Sequence, residues 1–196
     1  TNEIGVFEMA DSGLVEVPNP SETLLAGRPK DTPGTCVTCV MEGNRPVLAE
    51  IQALLAPTSF GNPRRTSNGF DYNRAMLLLA VLEKRGGLIV SSCDAYMNVI
   101  GGLYLDEPAA DLAAIISIAS SFRDKPVPGE LTAIGEVGLT GELRSVSALG
   151  QRLSEVRRLG FKRCLIPAQN SMKLVEPEGL QLVRVRNIRE ALSAVL

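Results

Sequence analysis

Short apolar runs alternate with polar residues in the first third of the chain. That period of two places successive side chains on opposite faces of a strand. Ile4 to Val17 alternates about Asp11-Ser12-Gly13 and reads as a hairpin. Asn19-Pro20-Ser21-Glu22 offers a cap, a first-turn proline and an acid near a helix start, and Gly27 and Pro29 stop this short helix. A second hairpin follows, with Thr35 to Met41 and Pro46 to Leu54 flanking Glu42-Gly43-Asn44-Arg45. Pro57 to Gly69, with four glycines or prolines among polar neighbours, reads as a loop.

The period then changes. Asp71 to Arg85 is rich in strong helix formers, apolar nearly all round from Ala75 to Leu82, and ends in Lys84 and Arg85 before Gly86-Gly87. Leu88 to Ser91 and Ala95 to Val99 read as short strands. Asp106-Glu107-Pro108 starts a helix that runs to about Phe122, and its many alanines and serines predict close packing against a neighbour. Leu131 to Val146 reads as a hairpin turning at Thr140-Gly141-Glu142. Ala148 to Leu159 is an amphipathic helix stopped by Gly160, Arg163 to Ile166 a strand ended by Pro167, and Leu180 to Val185 a last strand before a helix capped by Asn187. Hairpins early and strand-helix alternation late predict one mixed α/β domain with no internal linker.

Composition narrows the chemistry. The 196 residues contain no histidine, which removes Ser-His and Cys-His catalysis, histidine metal ligands and the usual general base. The longest apolar runs fall far short of the roughly 20 residues that a membrane span needs, and no signal peptide opens the sequence, so a cytoplasmic location without membrane contact is expected. Four cysteines are too sparse for a disulfide framework, and reduced thiols are expected. Cys36 and Cys39 could suggest half a metal site, but in a strand their spacing puts the sulfurs on opposite faces; both read as buried small hydrophobes, as do Cys93 and Cys164.

Charge is uneven. The total is -2, yet residues 1 to 27 hold five acids and no base, so residues 28 to 196 carry +3. Residues 61 to 85 sum to +3 and residues 144 to 163 to +5. Arg64 and Arg65 in the loop, Arg74 on the following helix, and Lys162 and Arg163 near a strand start form the candidate DNA-binding set, directed at phosphates with little sequence preference. The competing reading makes Arg152, Arg157 and Arg158 a solvated helix face and Arg74 a subunit-interface salt bridge. No Trp, three Tyr and five Phe argue against a base-stacking platform.

The strings TNEIGVFEM, PRR, GFDYNRAMLLLAVLEKR, DEPAADLA, IGEVGLTGELRSVSALGQRL and GFKRCLIP stand in this order. Together they resemble, over the whole chain, the C-terminal Lon-protease-like domain of the RadA (Sms) family of bacterial DNA repair proteins. The resemblance implies a mixed-sheet fold like the Lon proteolytic domain and ribosomal protein S5 domain 2. It also implies a parent with a zinc module and a RecA-like ATPase, so zinc, ATP and magnesium are expected only in those other domains and no cofactor here. The implied parent is a hexameric, ring-shaped homo-oligomer that drives branch migration beside a recombinase of the RecA type. The alanine-rich helix from Asp106 offers a surface such a ring could use.

The resemblance to Lon decides the expected chemistry. Lon proteases read roughly Asp-Gly-Pro-Ser-Ala-Gly at a helix start, where the serine is the nucleophile, and later Gly-Gly-Leu-Lys, where the lysine is the base. Asp106-Glu107-Pro108-Ala109-Ala110-Asp111 puts Ala109 at the serine position, and Ser147-Ala148-Leu149-Gly150 puts Gly150 at the lysine position. A methyl group has no lone pair and glycine no amine, so no catalytic residue is expected. Three functions follow: a non-catalytic scaffold that contacts duplex DNA, a peptidase with an unrecognised nucleophile for which Ser121 and Lys125 are the nearest pair, or an oligomerisation module that touches no DNA.

Overall fold

The computed structural model describes residues 5–59 and 61–196. Ile4, the expected start of the first hairpin, lies outside them. That hairpin is β1 (Phe7–Ala10) and β2 (Gly13–Glu16), joined by Asp11-Ser12 and paired only with itself. Phe7, Met9, Leu14 and Val15 remain exposed on it. The short helix α1 (Pro20–Leu25) forms with proline in its first turn, but the Asn19 side chain makes no cap hydrogen bond.

The second hairpin is the centre of the molecule. β3 (Thr35–Glu42) and β4 (Arg45–Pro57) pair antiparallel from Thr35↔Gln52 to Glu42↔Arg45 around a two-residue Gly43-Asn44 turn. On this pair a seven-stranded sheet is built in the order β11-β10-β7-β3-β4-β6-β5, with β5 (Arg65–Asn68), β6 (Cys93–Val99), β7 (Leu131–Ala133), β10 (Arg163–Pro167) and β11 (Gln181–Val185). Every strand except β4 runs in one direction.

Both faces of the sheet are covered. Cys36 and Val40 project into one core with α2 (Tyr72–Gly86), α3 (Asp111–Arg123) and α5 (Ile188–Val195), packing with Leu78, Leu82, Ile115, Ile116 and Leu192. Val37 and Cys39 project into the other with α4 (Leu149–Arg158), packing with Leu149, Leu153, Val156 and Phe161. The two CxxC sulfurs therefore lie on opposite faces, as the strand period requires.

The helix predicted from Asp106 is the most buried element. Ten successive residues of α3, from Asp111 to Ser120, are buried. Its small side chains let it lie close to β4, and the hydroxyls that this buries find partners. Ser117 Oγ donates to the Ile51 and Ala113 carbonyls, and Ser120 Oγ accepts from the Gly34 N–H at 2.9 Å. The close-packing surface expected to serve a ring is thus used inside the chain. Among the described residues no helix is long and apolar enough to cross a membrane.

Three segments differ from the pattern reading. The loop Pro57 to Gly69 contains β5, a parallel edge strand on β6. Leu88 and Val90 are buried and Ile89 exposed, as in a strand, but no ladder forms. Instead the Arg65 guanidinium donates to the Val90 carbonyl at 3.1 Å and the Cys93 carbonyl at 2.5 Å. Finally, β7 belongs to the main sheet between β3 and β10, and only β8 (Glu136–Val137) and β9 (Leu143–Arg144) pair as a hairpin. Leu131, Thr132 and Ala133 are all buried, and a strand covered on both faces leaves no alternation to separate it from a hairpin arm.

The cysteines give this burial a direct test. Desolvation pushes Cys36 and Cys164 up to about 12 and raises Cys39 further, whereas Cys93 is half-exposed. A raised thiol value means less thiolate: with a value near 12, roughly one part in ten thousand is ionised at pH 8. A disulfide reagent at pH 8 should therefore titrate one thiol in the native chain, Cys93, and all four in denaturant. Rapid reaction of a second native thiol would contradict this packing.

Candidate functional site

The start of α3 is where the Lon-like pattern locates chemistry. Pro108–Ala110 makes a single 3-10 turn into α3. Ala109 is 5% exposed, and its methyl packs in the second core with Leu149 and Leu153. Its carbonyl accepts from the Gly135 N–H at 2.9 Å, and the Gly135 carbonyl accepts from the Leu112 N–H at 3.1 Å, so the helix entrance is stitched to the second residue past β7. Gly150 sits on the exposed first turn of α4, with nothing within 4 Å of where a Cβ would stand. Hence one of the two positions is core and the other open surface.

Two residues from each lies a partner in a feature that the charge pattern misassigned. Arg152, expected on a solvated face, is 1% exposed. It donates to Glu107 Oε1 at 2.5 Å and Oε2 at 3.1 Å, to the Cys39 carbonyl at 2.7 Å and to the Ser147 carbonyl at 2.9 Å. Glu107 Oε1 also accepts from the Met41 N–H at 3.1 Å. A signal was available: Arg152 falls in phase with Leu149, Leu153 and Val156, the spacing of a buried helical stripe.

A second ion pair flanks the same entrance. Asp111, fully buried, accepts from Arg74 Nε at 2.9 Å, from an Arg74 terminal nitrogen, and from the Val137 N–H at 3.1 Å. Burial holds the Asp111 carboxyl above its ordinary value, and the Arg74 and Val137 hydrogen bonds pull against that shift. Arg74 is therefore in a salt bridge as one reading had it, but within the chain.

The five candidate DNA-binding residues separate into two kinds. Arg65 and Arg74 are engaged, the first on backbone carbonyls and the second on Asp111. Among the described residues the Arg64, Lys162 and Arg163 side chains carry no hydrogen bond or ion pair, and Arg64 is held through its backbone, its N–H donating to Asp94 Oδ1 at 2.7 Å and its carbonyl accepting from the Ala95 N–H at 2.9 Å. Arg64 precedes β5 and Arg163 begins β10, at the same ends of strands that share a direction but five positions apart in the sheet. At ordinary strand spacing that is roughly 24 Å.

Sequence spacing gave no hint of the neighbours of Lys162. A cavity of about 420 Å³ beside it is lined by Arg28, Lys30, Asp31, Glu130 and Phe161 among others. Arg28 stacks over the Phe161 ring at 5.1 Å and donates to the Gly129 carbonyl at 2.8 Å. The Lys162 and Arg163 N–H groups both donate to the Glu130 carbonyl, at 2.9 and 3.1 Å. These contacts join Arg28, Lys30, Lys162 and Arg163 into one basic rim. Of the other arginines on α4, Arg158 pairs with Glu155 and Glu22, while Arg157 is exposed and forms no ion pair among the described residues.

Ser121 and Lys125 do not face each other as a dyad would. The Ser121 hydroxyl accepts from the Leu55 N–H at 2.9 Å, and Lys125 Nζ donates to the Leu196 carbonyl at 2.8 Å.

Two substitutions two residues apart should act in opposite directions. Arg152→Ala leaves Glu107 without its partner in a mostly buried setting and should cost about 3 kcal/mol. Gly150→Ala fills open space on an exposed helical turn and should stabilise by about 0.5 to 1 kcal/mol. Urea denaturation of the two variants checks both, and a small loss for Arg152→Ala would mean that the pair is dispensable.

Residues 95–196 match the family of the Lon protease (S16) C-terminal proteolytic domain. Over its whole length the chain is 56% identical to DNA repair protein RadA of Bacillus subtilis and 53% identical to that of Listeria monocytogenes, covering 43% of each. It is 48% identical to RadA of Streptococcus pneumoniae over 195 residues, 46% of that protein. The chain thus spans less than half the length of these curated relatives. The mixed α/β sheet, the helix entrance at Pro108–Ala110 and these matches agree: the chain belongs to the Lon protease C-terminal proteolytic domain family, in the form similar to the Lon-like domain of DNA repair protein RadA.

Proposed function

We propose that this chain is a non-catalytic Lon-like domain that serves as a ring-assembly scaffold and a duplex-DNA contact surface in a RadA-type, ATP-dependent DNA repair and recombination protein. The observation that carries the first part is the occupation of the helix entrance. At the positions that the resemblance gives to a Lon-type nucleophile and base there are a methyl group and a hydrogen, and Glu107 and Arg152, each two residues from one of them, are committed to each other. Ser121 and Lys125, each engaged elsewhere, offer no replacement.

The similarity to proteins named for DNA repair supports the second part. The rim of Arg28, Lys30, Lys162 and Arg163, with Arg64 some distance along the same side of the sheet, supplies cations that form no ion pair among the described residues, although Asp31 and Glu130 line the same cavity and Arg64 lies near Asp94. Backbone phosphates are the ligand that such a spread of cations suits, since among the described residues neither cluster presents a free aromatic face for bases. In this reading ATP, magnesium and zinc belong to other parts of the RadA-type protein, the ring is a hexamer, the recombinase partner is engaged through that larger protein, and the setting is the cytoplasm.

Three outcomes follow. The chain should cleave no casein, with or without ATP, and Ala109→Ser with Gly150→Lys should stay inactive, because a dyad must be placed within about 0.5 Å and supported by its neighbours. Cleavage lost on Ser121→Ala would favour the peptidase. In duplex binding followed across a salt series, Lys162→Ala, Arg163→Ala and Arg64→Ala should each lower the log-log slope by about one, whereas Arg65→Ala and Arg74→Ala should lower stability and leave the slope unchanged. Unchanged affinity and slope for the first three would shift attention to Arg157.

A further inference from the structure

A third group of cations lies away from the DNA rim and has no role in that reading. Lys84 and Arg85 end α2, and Arg189 stands in the first turn of α5, more than a hundred residues later. The three line one cavity of about 270 Å³. The cavity walls are fixed. Gly141, at φ 80°, comes so close to α2 that an added Cβ would sit 2.9 Å from the Arg85 Cβ. The Ile188 N–H donates to the Gly141 carbonyl at 2.9 Å, and Arg189 Nε donates to the Arg85 carbonyl at 2.6 Å.

Among the described residues no acid lines this cavity. Glu83 accepts from Ser91, Glu142 pairs with Arg144, and Glu190 pairs with Arg186. Among the described residues the Lys84 ammonium and Arg85 guanidinium make no hydrogen bond or ion pair. Cations at the end of α2 are favoured by that helix's dipole, but Arg189 stands at the opposite pole of α5, where a positive charge is disfavoured. Held there beside two other cations in a concavity, it raises a positive potential that an anion would relieve. Among the described residues the lining includes no aromatic side chain, so nothing there would read a base, and the volume admits a phosphate or diphosphate group but not a duplex.

We infer that Lys84, Arg85 and Arg189 form a binding site for a small phosphate-bearing ligand, separate from the DNA-contacting rim. The test uses pyrophosphate as the probe, with calorimetry and with the rate of lysine acetylation read by mass spectrometry. Pyrophosphate should bind saturably with one site per chain and slow acetylation of Lys84 at least about fivefold, leaving Lys30 and Lys162 unaffected, and sodium chloride at matched ionic strength should not reproduce this. Lys84→Ala and Arg85→Ala, neither of which removes the Arg85 carbonyl that holds Arg189, should each weaken binding about tenfold, and Lys162→Ala should not. Absence of saturable binding, equal protection by sodium chloride, or protection of Lys84 by duplex DNA alone would overturn the proposal. Failure of the DNA reading shows separately, as loss of duplex protection at Lys30 and Lys162.

Discussion

The Glu107–Arg152 ion pair is the constraint on which the second half of the fold depends. A guanidinium taken out of water must recover its lost hydration from protein acceptors, or it will not stay buried. Arg152 recovers it from both Glu107 oxygens and the Cys39 and Ser147 carbonyls. Those groups belong to the approach to α3, to the central strand β3 and to the approach to α4. Meeting the needs of one charge therefore fixes three segments relative to one another. Once they are fixed, Ala109 falls into the core between α3 and α4, and Asp111 reaches Arg74 on the other side of the same helix entrance.

That arrangement supports the proposed reading of a proteolytic-domain fold kept without peptidase chemistry. A helix entrance that presents a nucleophile needs an accessible polar pocket. Here the entrance is closed by apolar packing on Ala109 and by two carboxylates already committed to arginines. The remaining free cations lie at the surface, in clusters set apart by the width of the sheet. In the proposed reading that distribution serves contact with an extended polyanion, and the cavity at Lys84 takes a small one.

Most elements could be read from local signals. α2 begins at Asp71, whose carboxylate accepts from the Arg74 N–H, and ends at a left-handed Gly87. α5 begins at Asn187, whose side chain accepts from the Glu190 N–H. Such caps act over three or four residues, within the reach of sequence patterns. The misses involve contacts distant in sequence. β7 reads like a hairpin arm because nothing local says that β3 and β10 will enclose it. Arg65 could not be separated from Arg64 by composition, since its partners, Val90 and Cys93, lie 25 and 28 residues on. Arg152 is the one miss that a helical projection would have prevented, because it shares the phase of Leu149 and Val156.

The central claim is that positions 107 and 152 act as one structural unit at the helix entrance. A double-mutant cycle on chemical stability, with Glu107→Ala, Arg152→Ala and the two combined, measures this directly. The account predicts a coupling of at least about 2 kcal/mol, the double variant being far less damaged than the two single losses added together. A coupling below about 0.5 kcal/mol, as for an exposed surface pair, would contradict it.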